Sequence, residues 1–178
     1  RWLIPRWPQF QQMHPELQLH LVAGGGPFSF ADGIDLAIRR DDFALPAGCH
    51  AETLFAERIG PVCRPDRLAQ WCDRPAQEHT PRLRADAPLL QSRTRPGAWA
   101  TWAEYSGQPQ PSGPQLQFEH FYFTLQAAVA GMGVAIGPWQ LVRDDIASGV
   151  LAAPMGFVED GSRYCLLSPA PPAPNGVH

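Results

Sequence analysis

The sequence predicts an α/β fold divided into two lobes, each with a small sheet of its own. Apolar residues at helical spacing alternate along the chain with short strand-like apolar runs, which favours parallel or mixed sheets covered by helices. Proline and polar residues become dense between Arg64 and Pro88, as expected where a chain leaves one lobe for the next. The 178 residues, 44% of them hydrophobic, suffice for one ordinary domain or two small lobes.

The first predicted elements are a helix, a turn and a strand. Four apolar residues at helical spacing predict the helix: Leu3, Trp7, Phe10 and Met13. The chain turns at His14 and Pro15, and alternating leucines over residues 17–21 then predict a strand. A glycine-rich loop, "GGGPFSFADG" (24–33), follows and separates this strand from the next.

Buried strands and a short helix are predicted next. The run "IDLAIR" (34–39) predicts one strand, and the apolar content of "ETLFAERIGPVCRP" (52–65) predicts one or two more. A short helix is expected at "DRLAQWC" (66–72), before the proline-rich loop.

The second half of the chain continues the alternation. Strands are predicted at "LLQSR" (89–93), "LQF" (116–118), "VAIG" (134–137), "VLAAP" (150–154) and "RYCLLSP" (163–169). Helices are predicted at "GAWATWAEYSG" (97–107), at 121–130 and at "WQLVRDDIASG" (139–149). The proline-rich tail "APPAPNGVH" cannot form a regular element.

The stretch "QAAVAGMGVAIGPWQLV" contains Gly131, Gly133 and Gly137 and raises the question of a phosphate-binding loop. A dinucleotide fingerprint needs its glycines directly after a strand and at the start of a helix. Here a predicted helix precedes the glycines and a strand follows them. The glycines are therefore interpreted as a helix-to-strand turn and a close-packing position, and no cofactor is predicted.

Composition and spacing disfavour several other classes of function. A net charge of -3 with only 17% charged residues makes this chain a poor nucleic-acid binder by itself. No apolar run is long enough to span a membrane, so the membrane is not expected as a partner. The histidines form no HxxxH or HxH pair and the serines no GxSxG motif, so neither a metal site nor a catalytic residue is predicted. The four cysteines are best interpreted as buried thiols of a reducing compartment, with disulfides left open.

One histidine has a position typical of a ligand-binding residue. His120 follows the predicted strand "LQF" and opens the next helix. It therefore lies at the carboxyl end of a strand, where open α/β sheets bind ligands. A histidine with a purely structural or exposed role remains the alternative.

Four segments, taken together and in order, resemble the effector-binding domain of LysR-type transcriptional regulators. They are "RWLIPRWPQFQQMHPELQLHL", "GIDLAIRRDD", "ETLFAERIGPVCRPDRLA" and "LQAAVAGMGVAIGPWQLVRDDIASGVLAAP". The resemblance covers nearly the whole chain. A further segment, "RTRPGAWATW", is similar to the branch that contains the glycine-cleavage activator and the β-lactamase regulator.

The resemblance implies a type 2 periplasmic-binding-protein-like fold, in which two Rossmann-like lobes enclose a ligand cleft. Lobe I would comprise residues 1–62 plus 165–178, and lobe II residues 63–164. The first strand of lobe I and the DNA-binding winged helix-turn-helix of the family have no counterpart in these residues, so we expect the chain to be a fragment. The resemblance also implies a cytoplasmic regulator that is not an enzyme. Such a regulator binds DNA through the absent N-terminal domain and self-associates as a dimer or tetramer. RNA polymerase is a further candidate partner.

The resemblance also implies where a small-molecule effector binds. Loops at strand ends of both lobes should contact it, and unpaired N–H groups at the helix start near His120 favour an anionic or amino-acid-like ligand. The candidate ligand-binding residues are Gly24, Gly25, Gly26, Phe28, Arg39, Arg40, Ser92, Arg93, His120 and Phe121.

Three alternatives stay open at this point. Arg39 and Arg93 are equally well explained as structural ion-pair partners. A free-standing solute-binding protein would have the same two-lobed shape. A small α/β enzyme is a weaker alternative, because no motif of adequate spacing supports it.

Overall fold

The computed structural model describes residues 2–22, 24, 28–42, 44–73 and 81–171. The chain forms two units: unit 1 consists of Arg1–Ala56 and Gly161–His178, and unit 2 of Glu57–Asp160. The chain passes from one unit to the other within two long strands, β2 (His50–Val62) and β8 (Val158–Ser168). Both passages fall a few residues before the predicted lobe boundaries.

In the part of unit 1 that the structure describes, there are one α-helix and a pair of strands. A 3₁₀ turn (Ile4–Arg6) leads into α1 (Trp7–Met13), and a second 3₁₀ turn (Phe30–Asp32) precedes β1 (Ala37–Arg40). Strand β1 pairs antiparallel with β8. After β1, the Asp41 carboxylate accepts hydrogen bonds from the Arg163 backbone N–H at 2.7 Å and from its Nε at 3.0 Å. These bonds lower the pKa of Asp41.

The prediction of a strand over residues 17–21 was wrong. The structure shows no strand there, and Leu19 and Leu21 are 41% and 48% exposed. A strand needs hydrogen-bonded neighbours, and among the described residues none pairs with this segment. Alternation of apolar residues alone therefore did not suffice. The predicted strand at 150–154 is likewise reduced to one bridge, between Ala152 and Cys63.

Unit 2 is built on a mixed sheet. In it β2 pairs antiparallel with β7 (Val134–Pro138), which lies parallel to β5 (Leu89–Ser92). Strand β5 in turn pairs in parallel with β6 (Gln115–Phe118), the last strand of the sheet. A separate small hairpin joins β3 (Cys72–Asp73) and β4 (Arg82–Leu83).

Among the described residues of unit 2, four helices accompany the strands: α2 (Leu68–Trp71), α3 (Ala98–Ser106), α4 (Phe121–Val129) and α5 (Trp139–Ala147). A 3₁₀ turn (Pro65–Arg67) precedes α2. No helix among the described residues is long and apolar enough to cross a membrane. The alternation of strands and helices that the sequence predicted is confirmed in this unit.

Two apolar clusters lie on opposite faces of the unit 2 sheet. Leu89 belongs to one cluster and Leu90 to the other, as expected because successive side chains of a strand point to opposite faces. The first cluster includes Trp99 and Trp102 of α3, both 2% exposed, whose rings meet edge to face at 6.0 Å. The second includes Leu125 of α4 and Val142 of α5. Helices on both faces thus shield the sheet from water.

The glycine-rich stretch forms the predicted helix, turn, strand and helix. Helix α4 ends before Gly131, whose φ of +78° is the left-handed conformation common just after helices. Gly133 then passes so close to the residue before β5 that a Cβ there would lie 2.5 Å from the Pro88 carbonyl oxygen. The stretch therefore reverses the chain and packs two strands together, and the interpretation as a turn is confirmed.

We expect Gly133→Ala to destabilise unit 2 by about 1–3 kcal/mol, because the added methyl group must displace a backbone carbonyl or the side chain of Leu90. Gly97→Ala is the matched control: its Cβ would meet nothing nearer than Thr101 Oγ1 at 3.9 Å. The control should change the free energy of unfolding by about 1 kcal/mol or less. Urea denaturation of both variants measures the difference. Equal stability of the two variants would contradict the packing role of Gly133.

Candidate functional site

Strands β5 and β6 end side by side in unit 2. Ser92, the last residue of β5, lies opposite Phe118, the last residue of β6, in a parallel pair. The loops that leave both strands therefore start at the same edge of the sheet. The carboxyl edge of parallel strands is where open α/β sheets bind ligands.

The turn after β5 is organised by hydroxyl groups. Ser92, which is 5% exposed, has its Oγ 2.8 Å from Thr94 Oγ1 and accepts a hydrogen bond from the Thr94 N–H at 3.2 Å. The Arg95 N–H donates to the Ser92 carbonyl at 3.1 Å. These bonds fix Thr94 and Arg95 at the sheet edge.

Thr94 caps helix α4 from outside the helix. Its Oγ1 accepts a hydrogen bond from the Phe121 N–H at 3.1 Å, while His120, the N-cap residue, makes no capping bond with its own side chain. The first N–H of α4 is thus satisfied by the β5 turn. One of the N–H groups on which the predicted preference for an anion rested is therefore already in use.

A buried carboxylate and an arginine form the charged part of this arrangement. Glu57 is 0% exposed, and its Oε2 lies 3.4 Å from Arg95 Nη1. The Arg95 guanidinium also lies 4.6 Å from the centre of the Phe121 ring, a cation–π distance. Because a buried carboxylate is costly without a cationic partner, Glu57 holds Arg95 at this edge.

The arrangement is chemically suited to recognise a planar anionic or polar group. The Arg95 side chain keeps 21% of its surface exposed, and a guanidinium is a planar group of N–H donors that matches a carboxylate in shape. Phe121, half-buried, adds an aromatic face. We name Glu57, Ser92, Thr94, Arg95 and Phe121 the unit 2 edge cluster.

The predicted unit 2 residues divide into two groups. Ser92 and Phe121 belong to the edge cluster, whereas Arg93 and His120 are exposed. The guanidinium of Arg93, whose side chain is 61% exposed, pairs with Glu119 at 3.0 Å. The His120 ring lies 6.2 Å from that of Phe123.

Three of the predicted unit 1 residues come together. Arg39 Nη1 donates to the Gly24 carbonyl at 3.1 Å, and its guanidinium lies 5.3 Å from the centre of the Phe28 ring. Arg40 is elsewhere and pairs with Asp42 at 3.2 Å. Gly25 and Gly26 lie outside the described residues.

Sequence reasoning missed Glu57, Thr94 and Arg95. A signal for Glu57 existed, because a carboxylate inside an otherwise apolar strand segment must find a cation or a hydrogen-bond donor. Thr94 and Arg95 directly follow the predicted strand 89–93, so they too occupied a strand end. Within the described ranges, no group of three or more metal-ligating side chains occurs.

We expect Arg95→Ala to lower the free energy of unfolding by about 2–4 kcal/mol, because it leaves the Glu57 carboxylate buried without this cation. Arg93→Ala is the matched control and should cost less than about 1 kcal/mol, since both members of its ion pair are exposed. The double variant Glu57→Gln/Arg95→Ala should recover part of the loss. Urea denaturation tests this, and an equal cost for the two single variants would contradict it.

Known sequences match this chain over nearly its whole length. The sequence model of the family described as "LysR substrate binding domain" matches residues 1–174. The HTH-type transcriptional regulator TrpI of Pseudomonas aeruginosa is 44% identical over 172 residues, which cover 96% of this chain and 57% of TrpI. The glycine cleavage system transcriptional activator of Escherichia coli is 31% identical, with 88% of this chain and 50% of that protein covered. The chain thus spans about half the length of the curated relatives it matches.

Solved structures of effector domains have a similar fold. The effector domain of the regulator AmpR of Pseudomonas aeruginosa matches with a TM-score of 0.70 at 30% identity, over 94% of this chain and 78% of that one. The AmpR effector-binding domain of Citrobacter freundii matches with a TM-score of 0.72 at 27% identity, over 97% and 84%. The predicted type 2 periplasmic-binding-like fold and the predicted resemblance are both confirmed. The chain belongs to the LysR substrate binding domain family.

Proposed function

We propose that this chain senses a small molecule for a LysR-type transcriptional regulator and that the unit 2 edge cluster is part of its effector site. Family membership supports the sensing role. The observation that carries the site is Arg95, held by a fully buried carboxylate and an aromatic ring at the carboxyl edge of two parallel strands. A cation held in place before binding loses little conformational freedom when a ligand arrives.

The ligand proposed for this site is anionic or amino-acid-like. The Arg95 side chain is largely shielded from water, so an ion pair with a ligand carboxylate would be stronger there than on an open surface. The bond between Thr94 and the Phe121 N–H shifts anion recognition from the start of α4 to the guanidinium. Arg93 and His120 would contribute at the exposed rim.

Unit 1 supplies a second group of candidate residues. The Gly24 carbonyl and the Phe28 ring hold the Arg39 guanidinium, as the buried carboxylate holds Arg95 in unit 2. Arg39 therefore remains a proposed ligand-binding residue, together with Gly24 and Phe28. The roles proposed from the sequence for Gly25, Gly26 and Arg40 remain predictions.

The complete regulator is proposed to bind DNA through a segment outside these residues. The relative TrpI is named an HTH-type transcriptional regulator, and the chain spans only 57% of it. With a net charge of -3, this chain itself lacks the excess of positive charge that phosphate backbones attract.

A regulator that acts on DNA in a bacterium works in the cytoplasm, and RNA polymerase stays a candidate partner. The effector would act by stabilising one arrangement of the oligomer over another.

A panel of amino acids and small carboxylates, titrated calorimetrically into the folded chain, tests the proposed ligand class. For any panel member that binds, Arg95→Lys should weaken the affinity about tenfold or more, because an ammonium cannot make the bidentate bonds of a guanidinium. Arg93→Ala, His120→Ala and Arg39→Ala should each weaken it less. Arg84→Ala is the matched control, since Arg84 pairs with Asp73 and Asp86 outside the cluster.

Two outcomes would contradict the proposal. If no carboxylate or amino acid of the panel binds, the ligand class is wrong. If a panel member binds and Arg95→Lys weakens it no more than Arg84→Ala does, the ligand class stands and the site is wrong. Circular dichroism of each variant separates lost binding from lost folding.

Self-association is proposed to involve the exposed end of the unit 2 sheet. Strand β6 is the last strand of its sheet, and Leu116 on it is 41% exposed. Tyr122 and Phe123 of α4, which follows β6, are 52% and 48% exposed. An edge strand beside exposed apolar side chains suits the self-complementary contact of a two-fold dimer.

We expect Phe123→Glu to weaken self-association of the chain, because it places a charge on an apolar contact surface. Met132→Glu is the matched control: Met132 is also 48% exposed but lies in the turn after α4. Sedimentation equilibrium of the wild type and both variants measures the effect. The same association constant in Phe123→Glu and the wild type would exclude α4 from the interface.

A further inference from the structure

We propose that the Thr94 hydroxyl donates a hydrogen bond to the ligand of the unit 2 edge cluster, beside the Arg95 guanidinium. This role rests on the proposed function, because it adds a donor to the same site. It gives that site two neighbouring donors for one ligand carboxylate. The direction of the hydrogen bonds that join Ser92, Thr94 and the start of α4 leads to it.

Ser92 has a buried hydroxyl whose hydrogen-bond partners lie on Thr94. The residue is 5% exposed. Its Oγ accepts a hydrogen bond from the Thr94 N–H at 3.2 Å and lies 2.8 Å from Thr94 Oγ1. Among the described residues, Thr94 Oγ1 is the acceptor that the structure places within reach of the Ser92 hydroxyl proton.

The 2.8 Å contact between the two hydroxyl groups has two possible directions. If Thr94 donates, the Ser92 oxygen accepts twice and its own proton is buried without an acceptor. If Ser92 donates, that proton is satisfied. A buried donor without a partner is unfavourable, whereas an exposed hydroxyl can turn to water. Because Ser92 is buried and Thr94 is exposed, Ser92 is the donor.

Donation from Ser92 fixes the direction of the Thr94 hydroxyl. A hydroxyl oxygen has two lone pairs and one proton. The Ser92 O–H occupies one lone pair of Thr94 Oγ1, and the Phe121 N–H occupies the other at 3.1 Å. The remaining direction belongs to the Thr94 proton. Since Thr94 is exposed, this proton points out of the protein, where water or a ligand oxygen accepts it.

Arg95 supplies the second donor next to this proton. Thr94 and Arg95 are consecutive, and both contact Phe121: the hydroxyl oxygen accepts from its N–H, and the guanidinium lies 4.6 Å from the centre of its ring. Glu57, at 3.4 Å, holds the guanidinium in place. A carboxylate can accept from a hydroxyl and a guanidinium at once, whereas an ammonium group can only donate. The site therefore selects a carboxylate over an ammonium at this point.

Hydroxyl exchange in the chain without ligand tests the direction of the Ser92 bond. In an equal mixture of light and heavy water, a hydroxyl that exchanges slowly splits the Cβ signal of its residue in the carbon NMR spectrum. We expect a split signal for Ser92 and a single one for Thr94. Thr124 is the positive control, since its buried hydroxyl donates to the Phe121 carbonyl at 2.7 Å. A single signal for Ser92 or a split one for Thr94 would overturn the proposal.

Acetate, the simplest probe with a carboxylate, tests the donor role, with its affinity measured by NMR titration. Thr94→Val keeps the shape of the side chain but removes the hydroxyl, and should weaken acetate binding about tenfold or more. Thr94→Ser, which keeps the hydroxyl, should bind nearly as well as the wild type. Thr101→Val on α3 is the matched control and should leave the affinity unchanged. Saturating acetate should also split the Thr94 Cβ signal, because the bound carboxylate protects the hydroxyl proton.

The outcomes separate this proposal from the proposed function. If Arg95→Lys weakens acetate binding and Thr94→Val does not, the role of Thr94 is wrong and the site stands. If acetate does not bind, or neither variant changes its affinity, both are wrong. Thr94→Val also removes the acceptor of the Phe121 N–H. A loss of affinity in this variant, without slower exchange of the Thr94 hydroxyl in the acetate-bound wild type, would therefore make Thr94 a structural residue and overturn the proposal.

Discussion

The buried carboxylate of Glu57 constrains the arrangement of unit 2 around it. A charge that is 0% exposed requires a cation, and Arg95 supplies it at 3.4 Å. Arg95 is in turn positioned by the turn that Ser92 and Thr94 organise at the end of β5. The same turn caps α4 through Thr94, and the guanidinium lies over the Phe121 ring. One electrostatic requirement thus connects strand β2, the β5 turn and the start of α4.

The sheet of unit 2 makes this edge rigid. Alternate residues of β5 and β7 enter two apolar clusters, so helices cover both faces and the strands cannot shift by one residue without exposing apolar side chains. Gly133 allows the chain to approach Pro88 closely at the start of β7. The carboxyl ends of β5 and β6 therefore lie at a fixed distance from each other, which is what a preformed binding edge needs.

Most of the unit 2 fold could be predicted from the sequence, because its helices and strands have strong apolar periodicity and clear glycine boundaries. The strand over residues 17–21 could not, since pairing depends on neighbours that periodicity does not reveal. The residues of the proposed site were anticipated in part, and their role in ligand binding stays a prediction. Ser92 and Phe121 were found from their positions at strand ends, whereas Arg93 was preferred over Arg95 although only Arg95 has a buried partner. That partner, Glu57, is 38 residues away along the chain, and a pairing at that separation leaves no local pattern.

The cap of α4 has a consequence for the order in which unit 2 folds. Thr94 lies 27 residues before Phe121, whose N–H it satisfies, and the helix has no capping bond from its own N-cap side chain. Helix nucleation is unfavourable, and a nine-residue helix is too short to be stable alone. The first turn of α4 can therefore persist only after β5 and its turn have docked. This non-local contact makes the start of the helix a late, cooperative product of tertiary structure instead of a local folding nucleus.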